Sequence, residues 1–175
     1  TTGQGNIAIG NGTLKSNTVG SASIAIGDSA LYNHNELLGD AIAIGYKTLF
    51  ADISGRGNIA IGSGALNKNI SGVYNIAIGA NALLSNTTGN ANIAIGGLNE
   101  NSTASNNTAV GYNVMDANTT GDYNAAYGYQ ALATTTTGSG NTAVGSMAGY
   151  NLPYYVSNVT AIGNYAGFNT TPSNH

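Results

Sequence analysis

Side chains able to do acid–base or metal chemistry are few in this chain. Its 175 residues include four Lys or Arg, seven Asp or Glu, two His and no Cys. His34, Glu36 and Asp40 have the donor types of a metal site. Their spacing on a loop fixes no geometry, and we interpret them as a solvated loop. Without Cys the chain forms no disulfide, zinc–thiolate site or thiol nucleophile. We therefore expect no metal and no cofactor.

The other acidic residues do not combine into a recognisable catalytic set. Asp52, Asp116 and Asp122 are expected in turns or loops. No Gly-x-Ser-x-Gly elbow is accompanied by an acid and a His, and no glycine pair is followed by the Lys-Ser/Thr of a phosphate loop. A polysaccharide-cleaving fibre would need carboxylates such as Glu100 or Asp116, and few are available. We expect a non-enzymatic protein with no catalytic residue.

Aromatic side chains near the C-terminal end are the candidates for ligand binding. Tyr150, Tyr154 and Tyr155 lie in an insert with Pro153, and exposed Tyr rings suit amphipathic ligands such as sugars. We favour the alternative that these rings, with Phe168, cap the fold or contact a neighbouring chain, because terminal repeats are commonly atypical.

Net charge and hydropathy limit the classes of partner. The formal net charge is −3, which disfavours binding to nucleic acid and, through charge, to anionic membranes. No apolar run approaches the roughly 20 residues of a membrane-spanning helix, and Thr1 does not begin a signal-peptide pattern. Because the first residues already belong to a repeat, we expect a piece of a longer chain.

A pentapeptide of the form Asn-Ile-Ala-Ile-Gly recurs ten times, with a period of about 17 residues. The fold built from this repeat must therefore position the acidic, histidine and tyrosine side chains considered above. The glycine of the pentapeptide stands at Gly10, Gly27, Gly45, Gly62, Gly79, Gly96, Gly111, Gly128, Gly145 and Gly163. Alanine lies two residues before each glycine, and Ile, Val or Tyr lies one residue before it. Leu or Met lies four residues after the glycine in seven repeats. Asn or Asp followed three residues later by Gly indicates a second turn.

The Ile-Ala-Ile segments predict short β-strands. Because alternate side chains point to opposite faces, both Ile share one face and Ala holds the other. We expect both faces to be packed, and either one is compatible with the interior of the coil. The sequence predicts an all-β, parallel β-solenoid of about ten coils of about 17 residues. Residues 1–148 would form regular repeats, and 149–175 an irregular last coil with a C-terminal cap or junction.

Irregular coils interrupt the pattern at three places. Around 34–40 a coil gains one residue and most of its charge, and around 149–155 the Leu position becomes Gly149. Between Gly96 and Gly111 the coil is two residues shorter than the common period, and its Ala-Leu pair is missing. The large apolar columns make a thin core, and the Ala column offers a flat face to another subunit. We therefore expect an oligomer with cyclic symmetry.

These pentapeptides, which include Asn-Thr-Ala-Val-Gly at 107–111 and 141–145, resemble the head repeats of trimeric autotransporter adhesins (the YadA-like head). They are equally similar to repeats of phage tail fibres and bacterial fibre proteins. The resemblance covers nearly the whole chain and implies a left-handed β-roll in which three chains pack side by side. It also implies an extracellular location, on a bacterial cell surface or a phage virion. The role would be attachment to a host glycan or protein, either directly or by spacing a binding tip.

Two further functions remain as alternatives. One is ice binding, because Thr pairs at 87–88, 119–120 and 136–137 share a column, although Ile-Ser pairs at 53–54 and 70–71 interrupt it. The other is a tail-fibre scaffold for receptor binding or for polysaccharide depolymerisation.

Overall fold

A computed structural model describes residues 3–37 and 39–168 of the chain, and its regular secondary structure consists of short β-strands. They are β1 (Ile7–Ile9), β2 (Ile24–Ile26), β3 (Ile42–Ile44), β4 (Ile59–Ile61), β5 (Ile76–Ile78), β6 (Ile93–Ile95), β7 (Thr108–Val110), β8 (Ala125–Tyr127), β9 (Thr142–Val144) and β10 (Thr160–Ile162). These form one ten-stranded sheet in sequence order. The predicted all-β parallel solenoid is therefore confirmed. In the described part of the chain, no helix is long and apolar enough to span a bilayer.

Strand register is the same in every coil, whatever the coil length. Ala60 pairs with Ala77 across a coil of regular length, and Ala94 pairs with Ala109 across the shortened coil. The added residue between β2 and β3 leaves Ala25 opposite Ala43. Insertions and deletions are absorbed outside the strands, because a slip of one residue would exchange the inward and outward side chains.

The alanine column faces the interior of the coil, and the two flanking columns face outward. From β2 to β10 the central alanine of each strand is buried, whereas its two neighbours are half-buried or exposed. Our expectation that the Ala column is open to another subunit is therefore wrong, and the packing of the outward face against a neighbouring chain stays a prediction. Only a methyl fits there, because the Ala column shares its narrow core with the Leu column.

The leucine column completes that core in an uncommon backbone conformation. Leu31, Leu49 and Leu66 are 0% exposed, and their φ angles of 49° to 50° are left-handed. Leu98 occupies this column in the shortened coil: it is 0% exposed, and its N–H donates to the carbonyl of Val114. The prediction that this coil lacks its leucine is wrong. At Gly149, φ is 64°, which glycine adopts without side-chain strain.

Two columns of buried asparagine supply the polar half of the interior. In the first column, which precedes the strands, the Asn75 amide donates to the Gly89 carbonyl over 2.8 Å, and its Oδ1 accepts from Asn92 N–H over 3.0 Å. In the second column, Asn86 Nδ2 donates to Asn69 Oδ1 over 2.9 Å and to the carbonyl of Gly89, three residues on. The predicted Asn-to-Gly turns are thus also internal ladders, which satisfy buried backbone groups.

The glycine that ends each strand is required by contact as well as by conformation. Gly62 has a φ of 124°, and a Cβ there would lie 2.6 Å from the carbonyl oxygen of Gly79 in the next coil. The coils therefore stack at this corner through backbone alone.

Candidate functional site

The outward sheet face forms an uncharged apolar stripe along the solenoid. Of its twenty outward positions, sixteen hold Ile, Val or Tyr, and the exceptions are Thr108, Ala125, Thr142 and Thr160. Exposure is 59% at Ile9, 40% at Ile95 and 69% at Ile162. We call these two columns the apolar face.

The size of the apolar face makes it a candidate for association. Nine steps between strands of about 4.8 Å give a length of about 43 Å, and three residues at about 3.3 Å give a width of about 10 Å. The resulting area of about 430 Å² equals the largest apolar patch of a typical monomer, which is often functional. Exposed tyrosines flank the strands in the sequence, either one residue after the repeat glycine or two residues before a strand: Tyr46, Tyr74, Tyr112, Tyr123 and Tyr129.

A polar groove lies in other columns of the solenoid. It encloses about 190 Å³, and its lining consists of Glu100, Asn113, Asp116, Ala117, Gln130, Ala133, Thr134 and Tyr150. The groove exists because one coil has a small side chain where its two neighbours have larger ones. The fifth position after the glycine holds Asp116, Ala133 and Tyr150 in successive coils, so the alanine leaves a gap between two larger neighbours.

Hydrogen bonds fix two walls of the polar groove. Asn99 Nδ2 donates to Asp116 Oδ1 over 2.7 Å, and the Thr134 hydroxyl donates to the backbone carbonyl of Tyr150. Among the described residues the one contact of salt-bridge length joins His34 Nδ1 and Asp52 Oδ2. The Glu100 and Asp116 carboxylates in the groove are therefore not neutralised by a cationic side chain.

Of the three tyrosines proposed from the sequence, one lines the polar groove and two do not. Tyr150 lines the polar groove, and its ring stacks on Phe168 with centroids 5.5 Å apart. Tyr154 and Tyr155 are 62% and 53% exposed and contact each other edge to face at 5.0 Å, but neither lines the groove. Residues 169–175 of the predicted cap lie outside the described residues. Sequence reasoning named Glu100 and Asp116 as possible carboxylates for hydrolysis and Asp116 also as a turn or loop residue, but it did not anticipate Asn113 or Gln130.

His34 and Asp52 form a buried pair in the second asparagine column. Both side chains are 0% exposed, and His34 Nδ1 lies 2.6 Å from Asp52 Oδ2. Asn69 Nδ2 donates to the other Asp52 oxygen over 2.5 Å. The interpretation of His34 as a solvated loop residue is therefore wrong, whereas Asp52 lies outside the strands as predicted, with a buried side chain. Glu36 is half-buried and Asp40 exposed, and no three potential metal ligands of the described chain come together.

Comparison of the chain with protein-family models, curated proteins and solved structures found no significant match. The resemblance to adhesin and tail-fibre repeats therefore stays a prediction, and the function must be argued from the two surfaces.

Proposed function

We propose that the chain is a non-enzymatic rod segment of an extracellular fibre or adhesin, and that it assembles as a homotrimer through the apolar face. The observation that carries the proposal is the uncharged apolar face along the solenoid. Such a surface is costly to leave in water, and single-chain packing does not cover it.

A second copy of the chain is the partner that fits this face best. Another solenoid has the same spacing between coils, so its Ile rows meet those of its neighbour along the full length of the rod. The face alone gives about 430 Å², roughly half of the 800 Å² per partner in a standard interface. The flanking tyrosines would supply the rest. Cyclic symmetry closes such an assembly, and the resemblance to adhesin repeats favours three chains.

The role of such a rod is attachment, either by binding a host-surface glycan or protein or by spacing a binding tip from its base. Every coil adds about 4.8 Å of length through the same backbone ladder, which makes the rod regular. The resemblance to adhesin and fibre repeats supports an extracellular location, on a bacterial cell surface or a phage virion.

The threonine columns give less support to ice binding. The hydroxyl of Thr87 donates to the Ser102 carbonyl over 2.9 Å, and that of Thr119 donates to the Thr136 carbonyl over 3.2 Å. These hydroxyls are therefore used to join coils rather than to bind ordered water.

Solution mass measured by light scattering during gel filtration tests the assembly. We expect three times the chain mass of 17.5 kDa. A mass of 17.5 kDa at micromolar concentration would refute the proposed role of the apolar face.

A further inference from the structure

We infer that the polar groove is a binding site for a neutral saccharide unit. The inference rests on the proposed attachment role, because it names the class of surface ligand that such a rod would bind. The site itself is built from Glu100, Asn113, Asp116, Gln130 and Tyr150.

The donor and acceptor pattern of the groove matches a sugar. Carboxylates accept hydrogen bonds from hydroxyl groups, and the amides of Asn113 and Gln130 both donate and accept. Asp116 is oriented beforehand, because Asn99 Nδ2 holds one of its oxygens at 2.7 Å, which lowers the entropic cost of binding. The Tyr150 ring supplies the aromatic surface on which the apolar C–H face of a sugar packs.

The size of the groove limits the ligand to a small unit. Its volume is about 190 Å³, and it is partly open to solvent. That space suits one sugar ring better than a polypeptide segment. The site would hold one ring of a longer glycan.

Charge selects a neutral ligand over an anionic one. Glu100 and Asp116 bring two carboxylates to the groove, and no Lys, Arg or His lines it. An acidic sugar, a phosphate or an acidic peptide would be repelled. The lining residues with functional groups stand two to six positions after the repeat glycine, and the two columns of the apolar face lie before it. The groove and the two columns of the apolar face therefore belong to different segments of each coil.

Saturation-transfer NMR on the full chain in its solution assembly tests the inference. The probes are the methyl glycosides of glucose, galactose, mannose and N-acetylglucosamine. We expect saturation transfer to at least one of them, and its loss in Ala133→Tyr, which fills the gap. Tyrosine is native to this column at Tyr32 and Tyr150, so the variant keeps the fold. Leu84→Tyr, in the same column three coils away, is the matched control and should retain the signal.

Three outcomes would overturn the saccharide site. The first is that the wild type gives no signal with any glycoside, and the second is that Ala133→Tyr keeps the wild-type signal. The third is that no glycoside binds, whereas calorimetry shows calcium binding to the wild type that Ala133→Tyr abolishes. The mass of each sample separates this inference from the proposed assembly. A trimer that binds no glycoside refutes only the groove, whereas a monomer that binds one refutes only the assembly.

Discussion

Replacing Ile61 and Ile95 together with Glu is expected to convert the assembly into folded monomers. Both side chains lie on the apolar face, in β4 and β6, and Ile95 is 40% exposed in the single chain. Burying the exposed part of such an isoleucine side chain at an interface contributes only about 1 kcal/mol to the free energy of association. The introduced charge has the greater effect, because an unpaired ion costs at least about 3 kcal/mol to bury.

The total free-energy penalty of burying these charges in a trimer decides whether the variant assembles. Two charges in each of three chains make six, so the total penalty reaches about 20 kcal/mol. Non-covalent association free energies saturate at about −20 kcal/mol for the tightest binary complexes, so this penalty is large enough to prevent assembly. Within the single chain the cost is small, because both side chains turn toward water and lose at most about 1 kcal/mol each of strand propensity.

The assay combines light scattering with circular dichroism. We expect a mass near 17.5 kDa with a wild-type spectrum, whereas the control Leu84→Glu with Thr88→Glu, which adds the same charge outside the apolar face, should keep the wild-type mass. A trimeric Ile61→Glu, Ile95→Glu variant would refute the assignment of the interface. An unfolded variant beside a folded control would refute the outward orientation of these isoleucines.

Three further substitutions test the interior, each by urea unfolding at one fixed protein concentration, with the exposed Ser63→Ala as a reference expected within about 0.5 kcal/mol of wild type. Gly62→Ala should destabilise by about 3 kcal/mol or more, because its Cβ would meet backbone at 2.6 Å in a left-handed conformation; a neutral effect would mean that the coils do not stack this closely. His34→Ala should cost about 3–5 kcal/mol by leaving the Asp52 carboxylate buried without its partner, and adding Asp52→Asn should recover most of that loss by restoring a neutral amide ladder; no recovery would contradict the pairing. Asn75→Ala should cost about 1–3 kcal/mol, since the buried N–H of Asn92 loses its acceptor, while the Gly89 carbonyl keeps its bond from Asn86; a loss no larger than that of Ser63→Ala would place Asn75 at the surface.

The solenoid could be predicted from the sequence because its determinants are local and repeated. Ile-Ala-Ile gives a strand, glycine gives a turn, and a regular period forces parallel stacking. The inward face could not be predicted, since alternation separates two faces without labelling them. The usual rule that large apolar residues lie inside favours the Ile face, and here it fails. The apolar part of the coil interior has room for the Leu column and for small side chains such as the methyl of Ala77.

The interior polar groups and the groove depend on contacts between coils, which a single repeat does not encode. Leu98 was missed because its distance from Gly96 is two residues instead of four, although it fills the same site. His34 looked like a loop residue because its partner, Asp52, lies 18 residues away. The groove arises from a gap at Ala133, and a small residue in a variable column gives no signal until its neighbours are placed.

The division of residues between core and surface links the fold to the proposed assembly. In an ordinary monomer the larger apolar side chains of a strand lie inside, but here each strand buries a methyl such as that of Ala60 and leaves Ile59 and Ile61 toward solvent. The interior of the same coil is shared with amides such as Asn58, whose hydrogen bonds largely replace those made to water. Hydrophobic burial within one chain is therefore small, and a continuous strip of incompletely buried apolar side chains lies on the outward face. Association would bury this face, and binding of the folded chain to its partners stabilises the fold. The same isoleucines would therefore drive assembly of the rod and add to the stability of each coil.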